Sequence, residues 1–372
     1  MHRIIGPIML SWLSAVVSVP AFAQVRIALA GPMTGANASF GDQLRAGAEA
    51  AVAQINSQGG VRGEKLELVV ADDACDPRQA VSVANKLAGD GVRFIAGHFC
   101  SGSTLPASEV YAEAGAIVIT VSTNPKITER GMKALFRIGG RDDQQGPTAA
   151  DFIVKSFAGR RIAIVHDKSS FGAGLAGEVR SRLVAERQQI VFDTGINAGE
   201  KDHSALISRL KAARVDVLFF GGYHTEAGLI MRQAADQGLR LEMIGGDPLA
   251  SSEFVAVAGD AANGVHFTFA PDPRKNPASS DAVRAMRARQ VEPEGWALYS
   301  YATIQIFAEA MVKANSTESR AVAQAVAGLR FATAVGEVRF DAKGDNLQPG
   351  FVVYRWQGGK SDYAEGMGRQ GN

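Results

Sequence analysis

Short stretches of apolar residues recur along the chain and alternate with stretches in which apolar residues return at helical spacing. The apolar stretches are VRIALA, RFIAGHF, AIVITV, RIAIVH, DVLFFGG and EMIGGD. They are hydrophobic at successive positions, which is typical of parallel strands that helices cover on both faces. Helical patterns such as AGAEAAVAQIN and SRLKAAR lie between them. The alternation therefore predicts an α/β fold with doubly wound parallel sheets and right-handed connections.

The same order of elements occurs twice. Residues 26–47 read as a strand, a Gly-rich loop closed by Phe40-Gly41 and a helix start, and residues 161–177 repeat this order around Phe171-Gly172. Each copy then continues as helix, strand, helix and strand. Two α/β lobes of one plan that face each other form a cleft, so the repeat predicts a protein that closes on a ligand.

The predicted lobes are discontinuous along the chain. We assign residues 24–141 and 270–350 to lobe 1, and residues 142–269 and 351–372 to lobe 2. A Pro-rich connection, PDPRKNPASSD, follows the last strand of the second copy. The remaining helices and strands most simply complete one lobe and return to the other, which predicts a hinge of several crossings.

The composition excludes some classes of partner. A chain of 372 residues is long enough for two domains with their own cores. Hydrophobic residues make up 46% and charged residues 21%, and the formal net charge is +1. A nucleic-acid-binding surface usually needs a concentrated basic excess, so we expect no nucleic acid as a partner.

The N-terminal residues 1–23 predict a secretory signal peptide. They combine a basic start, an apolar stretch and the sequence Ala21-Phe22-Ala23 before Gln24, which favours cleavage after Ala23. A transmembrane anchor is the alternative. The apolar stretch is short for a hydrocarbon core of ~30 Å, and Pro20 interrupts it. We therefore expect export of the chain and removal of this segment.

The chain has two cysteines, Cys75 and Cys100, and each lies just past the end of a predicted strand. In an oxidising compartment an even pair most often forms a disulfide, with two free thiols as the alternative. Closing this loop would stabilise the fold by ~3 kcal/mol through the unfolded state.

Motifs of enzymes are weak or missing. Residues 172–177 match G-x-G-x-x-G, with Asp193 downstream, but HDKSSF separates the first glycine from the strand, whereas a dinucleotide site needs it directly after the strand. The six histidines show no metal-binding spacing, and no G-x-S-x-G or H-E-x-x-H motif occurs. Three of them, His98, His166 and His224, end strands and are interpreted as structural. We therefore expect no catalytic residue, metal or cofactor.

Ligand groups in open parallel sheets collect at the carboxyl ends of strands. In the first half these ends carry Ser101, Gly102, Ser122 and Thr123. Hydroxyl groups and the free N–H groups of helix N-termini can bind a carboxylate without an arginine. The alternative is that Ser101 and Thr123 are simple helix caps.

The strand ends of the second half offer the opposite polarity. Asp247 ends the strand EMIGGD and suits an ammonium group. Tyr223, with Phe40 and Phe171 from the repeated loops, would form an apolar wall. The alternative is that Asp247 is a turn residue and the phenylalanines belong to the core. An anion site, a cation site and an apolar wall together predict an α-amino acid ligand.

Several longer runs resemble one known family: DDACDPRQAVSVANKLAGDGV, GHFCSGSTLPASEVYAEAG, DDQQGPTAADFI, RIAIVHDKSSFG and GGYHTEAG. From about Gln24 into the C-terminal strands, the chain resembles the periplasmic leucine/isoleucine/valine-binding proteins of ABC importers. The resemblance implies a type I periplasmic binding fold, and Cys75 and Cys100 match the family disulfide.

The resemblance also implies roles for particular residues. Ser101, through its hydroxyl and backbone N–H, and Thr123 would hold the ligand carboxylate. Thr123 and Asp247 would hold the ammonium together with a backbone carbonyl, which either Val121 or Ser122 supplies.

Tyr223 would close over the ligand from lobe 2. Phe40 and Phe171 stand where the family often has tyrosine, and Asp247 stands where it has glutamate. The pocket is therefore expected to be more apolar than is usual, and the shorter carboxylate to hold the ammonium differently.

The expected function is that of a monomeric solute receptor, which closes on a neutral, branched-chain or other apolar amino acid and presents it to the permease subunits of an ABC transporter in the inner membrane. One alternative is a sensor for an amide or aromatic acid that signals to a membrane regulator. The other is an enzyme that uses the Gly172 loop.

Overall fold

The computed structural model describes residues 24–348 and 350–364. The predicted signal peptide, residues 1–23, lies outside the described residues. Two larger sheets dominate the described part of the chain, one of five strands and one of seven.

The first sheet has the strand order β2-β1-β3-β4-β5, and every neighbouring pair in it is parallel. Its elements alternate between strand and helix as far as β4, as the apolar pattern predicts, and β5 follows β4 with a short 3₁₀ helix between them. The elements are β1 (Gln24–Gly31), α1 (Ala38–Ser57), β2 (Lys65–Asp72), α2 (Pro77–Gly89), β3 (Phe94–Gly97), α3 (Ser101–Glu113), β4 (Ile117–Thr120) and β5 (Leu135–Arg137).

The second half of the chain repeats this alternation. Its elements are α4 (Asp142–Ser156), β6 (Ile162–His166), α5 (Ser170–Ala185), β7 (Ile190–Gly195), α6 (Ser204–Ala212), β8 (Val217–Gly221), α7 (His224–Asp236), β9 (Glu242–Gly245), α8 (Ser252–Ala258) and β10 (His266–Phe269). Strands β3, β4 and β8 are buried at every position, as expected for strands covered on both faces.

The C-terminal part of the chain adds to both halves. It contains α9 (Ser280–Ala288), α10 (Ala297–Lys313), α11 (Ser319–Gly328), β11 (Phe331–Thr333), β12 (Gly336–Val338), β13 (Val352–Gln357) and β14 (Lys360–Tyr363). The second sheet has the order β14-β13-β10-β9-β8-β6-β7. Its first two strands are antiparallel additions, because β13 pairs with β10 and β14 with β13 in opposite directions.

The chain crosses between the two halves more than once. It leaves the first sheet after β5, returns after β10 to pack α10 on α1, and enters the second sheet again at β13. Gly47 permits the close packing of α1 on α10, since a Cβ at this position would lie 1.9 Å from the carbonyl oxygen of Ala297. The exact residues at which one lobe ends and the other begins stay a prediction.

Cys75 and Cys100 form a disulfide, which confirms the predicted pairing. The bond links the loop after β2 to the residue that precedes α3. Asp73 supports this loop, because its carboxylate accepts a hydrogen bond from the Cys75 N–H at 2.9 Å and contacts the buried His98 ring at 2.5 Å. The start of α3 is thereby fixed at one edge of the cleft.

No helix among the described residues is both long and apolar enough to span a bilayer.

Candidate ligand-binding site

The carboxyl ends of the strands in the two sheets face each other across a small cavity. The space open to the centre of a water-sized sphere is about 10 Å³. Nine residues line it: Phe99, Ser101, Val121, Ser122, Thr123, Phe171, Tyr223, Asp247 and Pro248. Seven of these are residues that the sequence analysis singles out, while Phe99 and Pro248 are additions.

Ser101 and Thr123 lie on the lobe 1 side of the cavity. Ser101 is the first residue of α3, and its side-chain oxygen accepts a hydrogen bond from the Asn124 N–H at 3.4 Å. The backbone N–H groups of Ser101, Gly102 and Thr123 have no acceptor among the described residues. Gly102 itself does not line the cavity, although it follows Ser101 in the first turn of α3. This side of the cavity therefore offers hydroxyl and N–H donors to an anion.

The Ser122 hydroxyl is occupied by the protein itself. It donates to the carbonyl oxygens of His98 and Phe99, at 3.1 and 2.7 Å, and lies 2.6 Å from the Thr104 hydroxyl. The Ser122 carbonyl is also engaged, because Arg137 Nη1 donates to it at 2.9 Å. The carbonyl of Val121, in contrast, accepts no hydrogen bond from any described residue. Of the two carbonyls, that of Val121 is the one left with its hydrogen-bonding capacity unused.

Asp247 lies on the lobe 2 side, at the start of a short 3₁₀ helix that follows β9. Its side chain is buried, and Gln145 Nε2 donates to its Oδ1 atom at 3.0 Å. Burial raises the pKa of Asp247 to about 7, and the hydrogen bond from Gln145 opposes this effect. The cavity therefore contains a carboxyl group that gains from a cationic partner.

A second buried carboxyl lies close to Asp247. Asp142 is the first residue of α4, its N–H donates to the Thr123 carbonyl at 2.9 Å, and its side chain is fully buried. Its carboxyl oxygens make no hydrogen bond of ordinary geometry among the described residues, although the Thr123 hydroxyl lies near enough to oppose the rise in its pKa. Burial, and then the nearby Asp247 carboxylate, raise the pKa of Asp142 well above its usual range.

Gln145 and Asp142 were missed by sequence reasoning. Both belong to the run DDQQG, which is one of the runs that resemble the known family. Site residues were sought at the carboxyl ends of strands, but α4 follows a crossing between the lobes rather than a strand of its own lobe. Two successive acidic residues before a glutamine read as an ordinary exposed helix start.

Aromatic side chains form the remaining wall of the cavity. The Phe171 and Tyr223 rings line it, with their centroids 5.4 Å apart. Phe40 does not line the cavity. It stacks on Phe99 at 4.4 Å, so Phe99 stands between Phe40 and the site. From this position Phe40 contacts lobe 2 through His224, whose ring centroid is 4.9 Å away in a T-shaped arrangement.

The remaining sequence motifs have structural explanations. His98 is fully buried between Asp73 and the Tyr111 hydroxyl. Gly172 lets α5 approach β8, since a Cβ here would lie 2.4 Å from the Gly221 carbonyl oxygen. This contact accounts for a glycine at the position without a dinucleotide. No group of three or more potential metal ligands occurs among the described residues.

Two α/β halves joined by several crossings, with donors for an anion on one side of the cleft and a buried carboxyl on the other, define a two-lobed receptor for a small ligand. The chain belongs to the periplasmic binding protein family, whose model matches residues 24–361. This family consists of solute-binding proteins rather than enzymes.

Relatives of this chain carry names that agree with this class. The Leu/Ile/Val-binding protein homolog 1 of Brucella abortus (strain 2308) is 46% identical over 341 residues, which are 91% of this chain and 92% of that protein. The leucine-, isoleucine-, valine-, threonine- and alanine-binding protein of Pseudomonas aeruginosa is 42% identical and covers 93% of this chain and 95% of its own length.

Solved structures show the same fold. The branched-chain amino acid transporter substrate binding protein LivJ of Streptococcus pneumoniae, in complex with isoleucine, superposes with a TM-score of 0.85 at 26% identity. The comparison covers 92% of this chain and 99% of that structure. The type I periplasmic binding fold predicted from the sequence is thereby confirmed.

Proposed function

We propose that this protein is the periplasmic receptor of an ABC importer and that its two lobes close on a neutral α-amino acid. The observation that carries the proposal is the opposition of two half-sites across one cavity. Unused N–H groups of Ser101 and Thr123 lie on one side, and the buried Asp247 carboxyl lies on the other. A zwitterion satisfies both at once.

The carboxylate of the ligand would bind at the start of α3. Ser101 offers its hydroxyl and its backbone N–H, and Thr123 offers the same pair of groups from the loop after β4. The positive end of the α3 dipole adds to this attraction. The Ser101 and Thr123 groups are neutral, so the site favours a carboxylate whose own molecule also carries a positive charge.

The ammonium of the ligand would bind between Asp247 and the carbonyl of Val121. We assign this role to Val121 rather than Ser122, because Arg137 already donates to the Ser122 carbonyl. Thr123 lies next to the same carbonyl along the chain and can accept from the ammonium through its hydroxyl. An ammonium group here would lower the pKa of Asp247, because the charged carboxylate then has a buried partner.

The side chain of the ligand would lie against Phe99, Phe171 and Tyr223. All three rings are buried at the cavity, and Tyr223 approaches from lobe 2. Such a wall favours an aliphatic side chain without charge. The relatives named for leucine, isoleucine and valine support this class of ligand.

An aromatic acid as ligand, as a sensor would require, has no cation for Asp247. Its carboxylate would leave the buried Asp247 unpaired, which is costly in a site that excludes water. We therefore favour transport of an amino acid, with the permease of an ABC transporter as partner and a monomer in the periplasm as the working form.

The direct test is a thermal-shift screen of the purified mature protein against the common amino acids, with benzoate included. A ligand that binds only the folded state raises the melting temperature in proportion to ln(1 + [L]/Kd). We expect stabilisation by aliphatic amino acids and none by benzoate. No response to any amino acid would disprove the proposal.

A further inference from the structure

Gln145 lies directly behind Asp247 in the second lobe. Its side chain is fully buried, and its Nε2 atom donates to Asp247 Oδ1 at 3.0 Å. The same nitrogen donates to the hydroxyl and the carbonyl of Thr268, at 3.0 and 3.4 Å. Because all three partners are acceptors, the amide must present its nitrogen to them, and its orientation is fixed.

Thr268 in turn is held by the sheet. It belongs to β10, and its hydroxyl donates to the Gly245 carbonyl at 3.3 Å. Gly245 ends β9, two residues before Asp247. A continuous set of contacts therefore runs from the carboxyl ends of β9 and β10 through Thr268 and Gln145 to one oxygen of the Asp247 carboxylate.

Charged and titratable groups around Asp247 do not neutralise it. Asp142 approaches from α4 and Tyr223 from the start of α7, and neither carries positive charge. The indole nitrogen of Trp296, which precedes α10, makes no hydrogen bond of ordinary geometry among the described residues, but its N–H lies near enough to Asp247 to lower the pKa of that carboxyl. Gln145 thus donates the side-chain hydrogen bond that stabilises the buried carboxylate, and the Trp296 indole adds a smaller effect in the same direction.

The buried arginine nearby is committed to other partners. Arg137 donates through Nε to Asp345 at 2.8 Å, through Nη1 to the Ser122 and Asn124 carbonyls at 2.9 Å, and through Nη2 to Thr128 at 2.6 Å. It holds the hinge and the loop after β4 rather than Asp247.

We propose that Gln145 is a positioning residue for ligand recognition, which holds one oxygen of the Asp247 carboxylate, leaves the other for the ligand's ammonium group, and favours the ionised form of the carboxyl in the ligand-free protein. This inference rests on the proposed function. Binding of an ammonium needs the ionised form, so the hydrogen bond from Gln145 increases the fraction of Asp247 that is ready for the ligand at neutral pH.

The test compares wild type with Gln145→Met, which keeps the length of the side chain and removes the donor. Affinity for L-leucine and L-alanine is measured by calorimetry between about pH 6 and about pH 8.5, a range that brackets a carboxyl titrating near neutrality. We expect affinity to fall on the order of tenfold at neutral pH and to recover as the pH rises. The midpoint of the pH profile should move upward by about one to two pH units.

Two further variants isolate the effect. Thr268→Val removes an acceptor that holds Gln145 and leaves Asp247 unchanged. We expect it to move the midpoint of the pH profile upward by less than Gln145→Met does. If Gln145→Met does not fold, the result for Thr268→Val serves as the test. Gln144→Met makes the same chemical change at the exposed neighbour on α4 and should leave the profile unchanged. Equal loss of affinity at every pH, or an unshifted midpoint, would overturn the inference.

A ligand-free measurement separates this inference from the proposed function. Titration of ¹³C-labelled aspartate carboxyls by NMR, with Asp247→Asn to assign the signal, reports the pKa of Asp247 directly. A higher pKa of Asp247 in Gln145→Met than in wild type supports the electrostatic role of Gln145 even if no amino acid binds. An equal pKa contradicts it even if amino acids do bind.

Discussion

The side-chain amide of Asn124 donates a hydrogen bond to the backbone carbonyl of Ser170 at 2.7 Å and so joins the two lobes. Asn124 follows β4 in the first lobe, and Ser170 is the first residue of α5 in the second. The contact bridges the cleft, so separation of the lobes would break it, and it lies beside Ser101, whose side chain accepts from the Asn124 N–H.

Asn124→Ser should therefore weaken ligand binding by favouring the open form. Serine can still cap the short helix at Pro125–Ile127, as Asn124 does, but cannot reach Ser170. Loss of one hydrogen bond predicts a cost of about 1 kcal/mol in closure, seen as a several-fold higher Kd in calorimetry. Ser170→Ala is the matched control, since it keeps the acceptor carbonyl. An equal effect of both changes would mean that the bond does not hold the lobes together.

Asp247→Ala should reduce affinity for an amino acid far more than Ser101→Ala. Removing Asp247 leaves the buried ammonium unpaired, which predicts a loss on the order of 2–5 kcal/mol. Ser101→Ala removes the hydroxyl but keeps the backbone N–H at the start of α3, so a loss of roughly 1–2 kcal/mol is expected. Titration calorimetry of both variants with the same ligand checks the order. An unchanged Kd for Asp247→Ala would remove Asp247 from the site.

His224 predicts a pH dependence of stability. It is buried against Phe40 of the other lobe, and burial lowers its pKa to about 4. In the unfolded chain the histidine takes up a proton at about pH 6.5, so below that pH the folded protein binds fewer protons than the unfolded chain does. The contribution of neutral His224 is present above about pH 6.5 and is lost as the pH falls towards about 4, by up to ~1.4 kcal/mol per pH unit.

Urea denaturation of ligand-free wild type and His224→Gln at several pH values tests this dependence. The difference in unfolding free energy between the two proteins should be constant at neutral pH and shrink or reverse below about pH 6. The buried carboxyls are common to both proteins, so their titration largely cancels in this difference. Parallel curves over the whole range would contradict the prediction.

The disulfide should stabilise the fold and the first half-site together. A double variant with Cys75→Ala and Cys100→Ala is expected to lose ~3 kcal/mol of unfolding free energy. Because Cys100 directly precedes α3, ligand affinity should also fall. A variant that destabilises only a helix far from the cavity should not lose affinity in this way. Chemical denaturation and calorimetry measure the two effects separately. Stability equal to that of the wild type would show that the bond adds nothing to the fold.

Much of the fold could be predicted from local pattern. Strands such as β4 and β8 consist almost wholly of apolar residues, and this property belongs to the strand whatever its neighbours are. The rule that ligands bind at the carboxyl ends of parallel strands then located Ser101, Thr123, Tyr223 and Asp247, which line one cavity in the structure.

Contacts between distant parts of the chain could not be predicted in this way. Phe40 and Phe171 occupy matching positions in the first turns of α1 and α5, yet Phe171 lines the cavity while Phe99 separates Phe40 from it. The hydroxyl of Ser122 looked available, but the carbonyls of His98 and Phe99 from the neighbouring strand end use it.

The sequence by itself determined the class of fold and the strand ends that meet at the cavity, because hydrophobic periodicity and the rules for parallel connections can be applied to local sequence. The pairing of Cys75 with Cys100 follows because the chain has two cysteines. Only the tertiary structure decided which groups keep unused hydrogen-bonding capacity and how Asp247 is held. Gln145 reaches Asp247 across 102 residues of chain, and Arg137 reaches Asp345 across 208. Such contacts arise where the chain crosses between lobes, and burial there decides the charge of Asp247.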